Sequence, residues 1–297
     1  MNRRFSAVNQ KLIIIYFINI IAIAFLAFNG SVAENPLLSF FLYAISFFCI
    51  YTIAYKIQPE EGDILFPSAS IIFITAIFLR LFFIQYPVSN DVYRYAWEGL
   101  VQCNGINPYI TSPSELAHLF KEDILFPLIT HKNIHTAYPP LALFLFRAIS
   151  SISYSVFSFK LVFLICDLIN VALLMFLLVK MKKPGHWIII YAWNPLILIY
   201  GAGESHFDIV HILFIILSLL CFISAVKSGF RYSLSFLFFG ICCNDKIFIT
   251  TNTSIYNKQK KLQIFSFIFP SVFIIHILCR TGNVLWFDKI LRGNVIQ

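Results

Sequence analysis

The stretch SFKLVFLICDLINVALLMFLLVKMKK, residues 158–183, identifies the class of this protein. It contains an apolar run at 158–179, in which Lys160 and Asp167 are the charged residues, and it ends in a cluster of lysines at 180–183. A helix rises about 1.5 Å per residue, so a run of this length can cross roughly 30 Å of hydrocarbon. The run predicts a membrane-spanning helix whose lysine end lies in the cytoplasm, because basic residues in short loops mark that side.

The composition of the whole chain also indicates a membrane protein. Of 297 residues, 59% are hydrophobic and 12% are charged, whereas about a quarter of the residues of a soluble domain are charged. We therefore expect an all-α, polytopic membrane helix bundle of about eight spans, which forms a single domain over 1–297. The other predicted spans cover 12–29, 37–55, 69–86, 187–203, 209–226, 232–244 and 262–279.

Basic residues near the ends of the predicted spans set the orientation. Arg3, Arg4 and Lys11 predict a cytoplasmic N-terminus, and the run at 12–29 reads as a membrane anchor rather than a cleaved signal peptide. Three crossings then place 87–137 outside, as a long extracytoplasmic loop between spans 3 and 4. Because such span-end residues explain the net charge of +8, we predict a lipid bilayer, and no nucleic acid, as a partner.

The segment AYPPLALFLFRAIS, residues 137–150, is predicted to be a re-entrant or interfacial helix. Tyr138-Pro139-Pro140 favours extended backbone before a helix start, and the apolar part is too short to cross a bilayer. Irregular backbone at membrane depth must pack on protein or line a cavity, so we expect a cavity that opens outward. One stretch contradicts this orientation, because the basic NKQKK at 257–261 would also lie outside.

The segment DVYRYAWEGLVQ, residues 91–102, predicts a helix with one polar face inside the long loop. In one interpretation this helix is solvated, and its Arg94–Glu98 pair contributes only about 0.2–0.5 kcal/mol. In the other it borders the cavity, Asp91 acts as a general base, Arg94 neutralises phosphate oxygens, and Glu98 holds Arg94 in place. The face carries Asp91, Arg94, Tyr95, Glu98 and Gln102.

A second polar cluster lies in WNPLILIYGAGESHFDIV, residues 193–210. Its Asn-Pro pair predicts a break in the helix, and Glu204, His206 and Asp208 follow within a few residues. Carboxylates and imidazole could form a metal set. We favour a polar rim that binds sugar, with His206 as a donor, and predict no metal.

Polar side chains inside predicted spans are costly and often functional. The clearest are Asp167, with Asn170 one turn further on, and the pair Asp245-Lys246. Asp167 is equally consistent with a hydrogen-bonded residue in helix packing. Both interpretations of Asp167 stay open at this point.

At these residues the sequence resembles the GT-C glycosyltransferases, above all the bacterial polyprenol-phosphate-mannose-dependent mannosyltransferases. The resemblance rests on DVYRYAWEG at 91–99, GINPY at 105–109, AYPP at 137–140 and the segment from WNPL to GESHFD at 193–208. It implies transfer of a hexose, which is mannose in this group, from a polyprenyl-phosphate donor to an extracytoplasmic glycan or lipid acceptor. It also implies inverting single displacement without a cofactor, in a bacterial inner membrane with the active site facing outward.

The resemblance assigns roles to individual residues. The catalytic base of the family corresponds to Asp91, and Arg94 and Lys246 correspond to donor phosphate-binding groups. The family motif commonly ends in His-Asn-Asp, whereas this chain has Phe207 at the middle position. The substrate-binding residues that we predict are Tyr93, Tyr95, Glu98, Asn107, Tyr109, Tyr138, Glu204, His206 and Asp208.

Two questions stay open: the role of the aromatic side chains in the loop, and whether the protein is an enzyme. The tyrosines and Trp97 of the loop suit sugar stacking and an interfacial aromatic belt equally well. A transporter of a lipid-linked saccharide would show related halves, and no such repeat is visible in the sequence. A non-catalytic relative that binds the same lipid is the other alternative, because residues 250–297 depart from the family pattern.

Overall fold

All regular structure in the described part of the chain is helical, as predicted. The computed structural model describes residues 7–28, 35–56, 68–224, 230–231 and 233–240, all of which lie in the compact unit Met1–Asp245. The α-helices are α1 (Ala7–Phe28), α2 (Pro36–Tyr51), α3 (Ala69–Phe83), α4 (Asn90–Cys103), α5 (Pro140–Ile152), α6 (Val156–Lys180), α7 (Ile189–Ala192), α8 (Pro195–Ile197) and α9 (Asp208–Ile223). Short 3-10 turns cover Phe126–Leu128 and Gly185–Ile188, and π-helical turns cover Thr52–Lys56 and Leu198–Gly203.

Three helices of the described ranges are long and apolar enough to cross a membrane, and each matches a predicted span. They cover Gln10–Phe28, Pro36–Lys56 and Val156–Lys180. The segments Pro195–Gly203 and Asp208–Ile223, bent by 118°, make a fourth if the pair is one span. If the bent pair is one span, it joins two segments predicted as separate spans, at 187–203 and 209–226. The helix α3, predicted as a span at 69–86, is a shorter apolar helix of 15 residues. The described helices therefore include three or four candidate spans of the eight predicted, and the run at 262–279 lies outside the described residues.

The outer surfaces of the long helices are apolar. Phe17 on α1, Phe48 on α2 and Phe176 on α6 expose 64, 71 and 51% of their area. Soluble proteins rarely expose contiguous apolar surfaces of this kind, whereas lipid tails are a suitable environment for them. The chain is therefore a membrane protein.

The predicted span at 187–203 is not one continuous helix. α7 ends at Ala192, and the Asn194 side chain begins α8 by accepting a hydrogen bond from Leu196 N at 2.9 Å. α8 then continues into the π-helical turn Leu198–Gly203. This confirms the break that the Asn-Pro pair predicts, and it leaves polar residues at a sharp bend before α9.

The short helix predicted from the Pro-Pro motif is present as α5, which begins at Pro140 and is 13 residues long. Its two faces differ. Ala142, Phe146 and Ile149 are buried, whereas Phe144 is exposed. The location of α5 relative to the bilayer stays a prediction.

A buried ion pair joins α3 to α6. Arg80 Nε donates to Asp167 Oδ2 at 2.8 Å, and both side chains are fully buried. Arg80 Nη1 donates to the carbonyl of Ala192 at 2.8 Å, and the Tyr191 hydroxyl donates to Asp167 Oδ1 at 2.8 Å. The pair therefore holds the end of α7 as well as joining two helices.

Asn170 extends this network to the start of α9. Its Nδ2 donates to the Tyr191 hydroxyl at 3.3 Å and to the carbonyl of Ile209 at 3.0 Å. Gly201 also lies against the network, because a Cβ atom there would be 3.4 Å from Asp167 Oδ2. The network thus contacts the broken segment at Ala192, at Gly201 and, beyond the bend, at Ile209. Asp167 is a hydrogen-bonded packing residue.

Removal of one partner of the ion pair should destabilise the protein strongly. In Asp167→Leu the Arg80 guanidinium stays buried without a counter-charge, which typically costs about 3–5 kcal/mol. The double variant Arg80→Met/Asp167→Leu should recover a large part of this loss, because no unpaired charge remains. Unfolding in detergent micelles is measured for Asp167→Leu, Arg80→Met and the double variant, and losses of the two single variants that simply add in the double variant would contradict this view of the pair.

Candidate active site

The start of α4 is fastened to the bend that precedes α9. Ser89 N donates to the carbonyl of Glu204 at 3.0 Å. The Tyr86 ring lies so close to Gly203 that a Cβ atom there would be 2.9 Å from it. Lys160 of α6 supports this connection by donating to the carbonyl of Tyr86 at 2.6 Å. Two polar segments far apart in the sequence are thereby brought side by side.

This contact places His206 between two carboxylates. Its Nε2 lies 3.1 Å from Glu204 Oε2, and its Nδ1 lies 3.7 Å from Asp91 Oδ2. A neutral imidazole has only one N–H group, so two carboxylates can be matched only by the doubly protonated ring. The Asp91–His206–Glu204 trio therefore favours an imidazolium.

The electrostatic balance around His206 supports the same protonation state. Burial by itself lowers the pKa of His206, but the hydrogen bond to Glu204 and the charges of Asp91, Glu204 and Asp208 outweigh burial and raise the pKa above its ordinary value. The Tyr200 ring lies beside the imidazole, with ring centroids 5.4 Å apart. Two carboxylates of the trio and Asp208 thus all stabilise the cation.

Asp91 is the most accessible member of the trio. Its side chain is 45% exposed, against 17% for Glu204 and 10% for His206. A carboxylate that is both accessible and held by a neighbouring cation can accept a proton from an incoming hydroxyl group.

Asp208 is one turn away from His211 in α9, at 3.5 Å from its Nδ1. Within the described part of the chain, no group of three or more His, Cys, Asp and Glu side chains is suited to hold a metal ion.

The turn that carries Glu204 and His206 has an unusual backbone. Ser205 is fully buried and has φ of 61°, a left-handed conformation that residues other than glycine adopt infrequently. The turn is fixed further by His206 N, which donates to the carbonyl of Tyr200 at 2.9 Å. Such strained residues cluster at functional sites, and here the strain lies between two members of the trio.

The Arg94–Glu98 pair of α4 is buried rather than solvated. Arg94 Nε donates to Glu98 Oε1, and Nη1 and Nη2 donate to the carbonyls of His131 and Ile134 at 3.3 and 2.8 Å. Thr136 Oγ1 donates to Glu98 Oε2 at 2.8 Å. These bonds fasten the long loop to α4, and Glu98 holds Arg94 in this position.

Burial also governs the protonation of Glu98. The side chain is fully buried, and loss of hydration raises its pKa, although Arg94 and Thr136 partly offset this rise. Three of the five N–H groups of Arg94 donate within the protein. The contact of Arg94 with a donor phosphate stays a prediction, and Lys246 lies outside the described residues.

Of the predicted tyrosines, Tyr95 lies in the core, and the others are partly buried against core clusters. Tyr95 is 2% exposed and stacks on Phe146 with ring centroids 4.6 Å apart. Tyr138 meets Tyr95 edge to face at 5.1 Å, and burial raises the pKa of both hydroxyls well above the ordinary value. Trp97 is fully buried, and Tyr93 packs against its cluster. Tyr95 and Trp97 therefore pack inside the protein, where their rings are accessible neither for sugar stacking nor for an interfacial aromatic belt.

The GINPY motif shapes the loop above this core. Asn107 Oδ1 accepts a hydrogen bond from Tyr109 N at 2.9 Å, which forms a turn. The Tyr109 hydroxyl donates to the carbonyl of Tyr138 at 2.8 Å. The motif therefore links the loop to the start of α5, and a contact of either residue with substrate stays a prediction.

Several residues that organise the site carry little sequence signal. Arg80 lies inside the predicted span at 69–86, and a charged side chain within a span is the signal that could have identified it. Thr136 and Ser89 are ordinary loop residues in the sequence. Their contacts depend on tertiary structure, and no local pattern marks them.

Comparison with known proteins identifies the family. A family model described as the N-terminal domain of alpha-(1->6)-mannopyranosyltransferases matches residues 68–249, which is more than half of the chain. The protein belongs to this mannosyltransferase family. The match confirms the resemblance drawn from the sequence motifs. No curated protein and no solved structure matches the chain.

The whole trio lies inside the segment matched by the mannosyltransferase domain. Phe207, where the resemblance leads us to expect an amide, is almost fully buried and its ring contacts Phe146 and Phe163 at 5.5 and 6.3 Å. The aromatic side chain therefore serves the core of this member of the family. Asp91 and His206 stand at the edge of that core, where the Asp91 carboxylate is accessible.

The His206 cation should make the stability of the protein depend on pH. A raised pKa means that its contribution is complete below the ordinary value of about 6.5 and is lost as pH rises through the folded-state pKa. His206→Gln should therefore lower the melting temperature at about pH 6 and have a smaller effect at higher pH. Thermal unfolding over a pH series measures this, with the exposed His118→Gln as the control. An effect of His206→Gln that is constant with pH would contradict the imidazolium.

The position of Asp91 also depends on the close packing of α4 on α5. A Cβ atom at Gly99 would overlap Ser150 Oγ and the carbonyl of Phe146. Gly99→Ala should therefore cost about 1–3 kcal/mol of stability, as overpacking usually does. Gly240→Ala is the matched control, because its Cβ atom would meet no described atom within 4 Å. Equal unfolding temperatures for the two variants would show that α4 and α5 separate easily.

Proposed function

We propose that this protein transfers a mannosyl group from a polyprenyl-phosphate donor to an extracytoplasmic glycan or lipid acceptor, with inversion at the anomeric carbon. One observation carries the proposal: a half-exposed Asp91 is held beside His206 within the segment that matches the mannosyltransferase domain. The apolar outer surface of the long helices supports a lipid-linked donor, because such a donor must reach the site through the bilayer.

In the proposed reaction Asp91 is the general base. The acceptor hydroxyl attacks the anomeric carbon, its proton passes to Asp91, and the new carbon–oxygen bond forms as the bond to the phosphate oxygen breaks. The electron pair of that bond leaves with the polyprenyl phosphate. We assign His206 as a positioning residue, because its imidazolium lies 3.7 Å from one oxygen of the Asp91 carboxylate and leaves the other for the hydroxyl group.

The leaving phosphate requires positive charge that is in place before the bond breaks. We assign this role to Arg94 and Lys246. Arg94 is held by Glu98 and by the loop carbonyls, so its charge would need little reorganisation. Among the predicted substrate contacts, we also propose Glu204, in the turn beside Asp91, and Asp208 at the start of α9.

The site is proposed to face outward from a bacterial inner membrane. Asp91 follows the α3–α4 connection, and the long loop at 87–137 packs over α4 through Arg94 and Thr136. The lysines at 180–183 follow α6 at its opposite end, as expected for a cytoplasmic end. A lipid-linked donor suits this side, because nucleotide sugars are cytoplasmic substrates.

A non-catalytic relative that binds a lipid-linked saccharide is the second candidate. The observation that favours it is Phe207, whose buried ring contributes no polar group at the position where the resemblance leads us to expect an amide. The two candidates differ in one result, because only the enzyme would convert the donor to free polyprenyl phosphate in the presence of an acceptor.

Substitution of the proposed base tests the function. Asp91→Asn keeps the size of the side chain and removes the base, so transfer from labelled polyprenyl-phosphate mannose in proteoliposomes should fall by at least about a hundredfold. Glu115→Gln, an exposed carboxylate of the same loop, is the matched control and should keep full transfer. Equal transfer by the parent and Asp91→Asn would remove Asp91 from this role, and no transfer by the parent would favour the non-catalytic candidate.

A further inference from the structure

Two hydroxyl groups beside the trio are enclosed by protein and have no hydrogen-bond partner. They are Tyr43 OH on α2 and Ser89 Oγ at the start of α4. Buried polar groups are nearly always hydrogen-bonded in native proteins, and an exception calls for an explanation such as a bound molecule. Other buried hydroxyls of this protein do have partners: Ser46 donates to Asn19 at 2.6 Å, and Ser150 donates to the carbonyl of Ala96 at 3.1 Å.

Both residues with unpaired hydroxyls lie near the turn that carries Glu204. Ser89 N donates to the Glu204 carbonyl at 3.0 Å, and Ser89 is two residues from Asp91. Tyr43 packs against a cluster that contains Tyr86 and Ala202, and its hydroxyl is close enough to Glu204 for the two groups to interact electrostatically. Two separate elements therefore each bring a residue with an unpaired hydroxyl near the same turn.

This combination of groups matches the chemistry of a sugar. Each hydroxyl can donate one hydrogen bond and accept others, as can every hydroxyl of a hexose. The Glu204 carboxylate has accepting capacity beyond its bond to His206, and the Tyr200 ring stands beside the imidazole. A phosphate is a poorer match, because the hydroxyls adjoin a carboxylate that would repel it.

We propose that Tyr43 and Ser89, together with Glu204, bind hydroxyl groups of a hexose beside Asp91. The assignment of that hexose as a mannosyl group rests on the proposed function. The hexose could belong to the donor or to the acceptor, and the same hydroxyl chemistry would serve either. Tyr43 and Ser89 are thus specificity residues contributed by α2 and by the α3–α4 connection.

The proposal makes an unusual combination of predictions for Tyr43→Phe and Ser89→Ala. Each substitution removes an unsatisfied buried group, so the protein without substrate should be as stable as the parent or more stable. Each should also weaken sugar binding by about 3- to 10-fold, the usual effect of one hydrogen bond. Removal of a hydroxyl that only serves packing would not combine unchanged or higher stability with weaker sugar binding, and it would leave the affinity for sugar unaffected.

The experiment compares melting temperatures and transfer kinetics in nanodiscs. Ser46→Ala is the matched control, because its hydroxyl is satisfied; it should lower the melting temperature and leave KM unchanged. A higher KM for polyprenyl-phosphate mannose in the two variants would assign the site to the donor sugar, and a higher KM for a mannoside acceptor would assign it to the acceptor. Unchanged KM values for both substrates, or lower stability of both variants, would overturn the proposal.

A binding measurement separates this proposal from the proposed function. Polyprenyl-phosphate mannose, polyprenyl phosphate without sugar and a free mannoside are each added to the protein, and the rise in melting temperature is recorded. Stabilisation that requires the sugar and that falls in Tyr43→Phe supports the hexose site even if the parent transfers nothing, in which case only the proposed function fails. If the sugar adds no stabilisation to the parent, the hexose site is wrong.

Discussion

The buried ion pair between Arg80 and Asp167 is the constraint on which the rest of the structure depends. An unpaired charge within a membrane helix is costly, so each residue requires the other, and α3 and α6 must meet at this level. The pair also forms hydrogen bonds with the Tyr191 hydroxyl and with the carbonyl of Ala192, which are the last residues of α7. The break in the next segment, where helical hydrogen bonds are lost, is thereby held by the same two charges.

This constraint connects the membrane helices to the candidate site. The broken segment is held at its two ends, so its bend brings Glu204 and His206 to the start of α4. There Ser89 N donates a hydrogen bond to the carbonyl of Glu204. The imidazole then lies between two carboxylates, and the more exposed of these is Asp91. A chain with few charges thus concentrates several of them at one bend, and the family match lies over this part of the chain.

The sequence predicts the classes of structure well and the contacts less well. Long apolar runs predict α1, α2 and α6, the Asn-Pro pair predicts the break after α7, and the helical spacing from Asp91 predicts α4, since each signal is local. The burial of the Arg94–Glu98 pair and the partnership of Arg80 with Asp167 could not be predicted, because each depends on which helices become neighbours. For the same reason Tyr95, expected to bind sugar, lies instead in the aromatic core.

The central claim is a single displacement in which a carboxylate base activates the acceptor, and the configuration of the product tests it most directly. The parent protein in nanodiscs would be supplied with polyprenyl-phosphate mannose labelled with carbon-13 at the anomeric carbon, together with a mannoside acceptor. The anomeric carbon–proton coupling of the first product reports its configuration by NMR. A single displacement predicts a product with the configuration opposite to that of the donor, and a product that retains the donor configuration would contradict it.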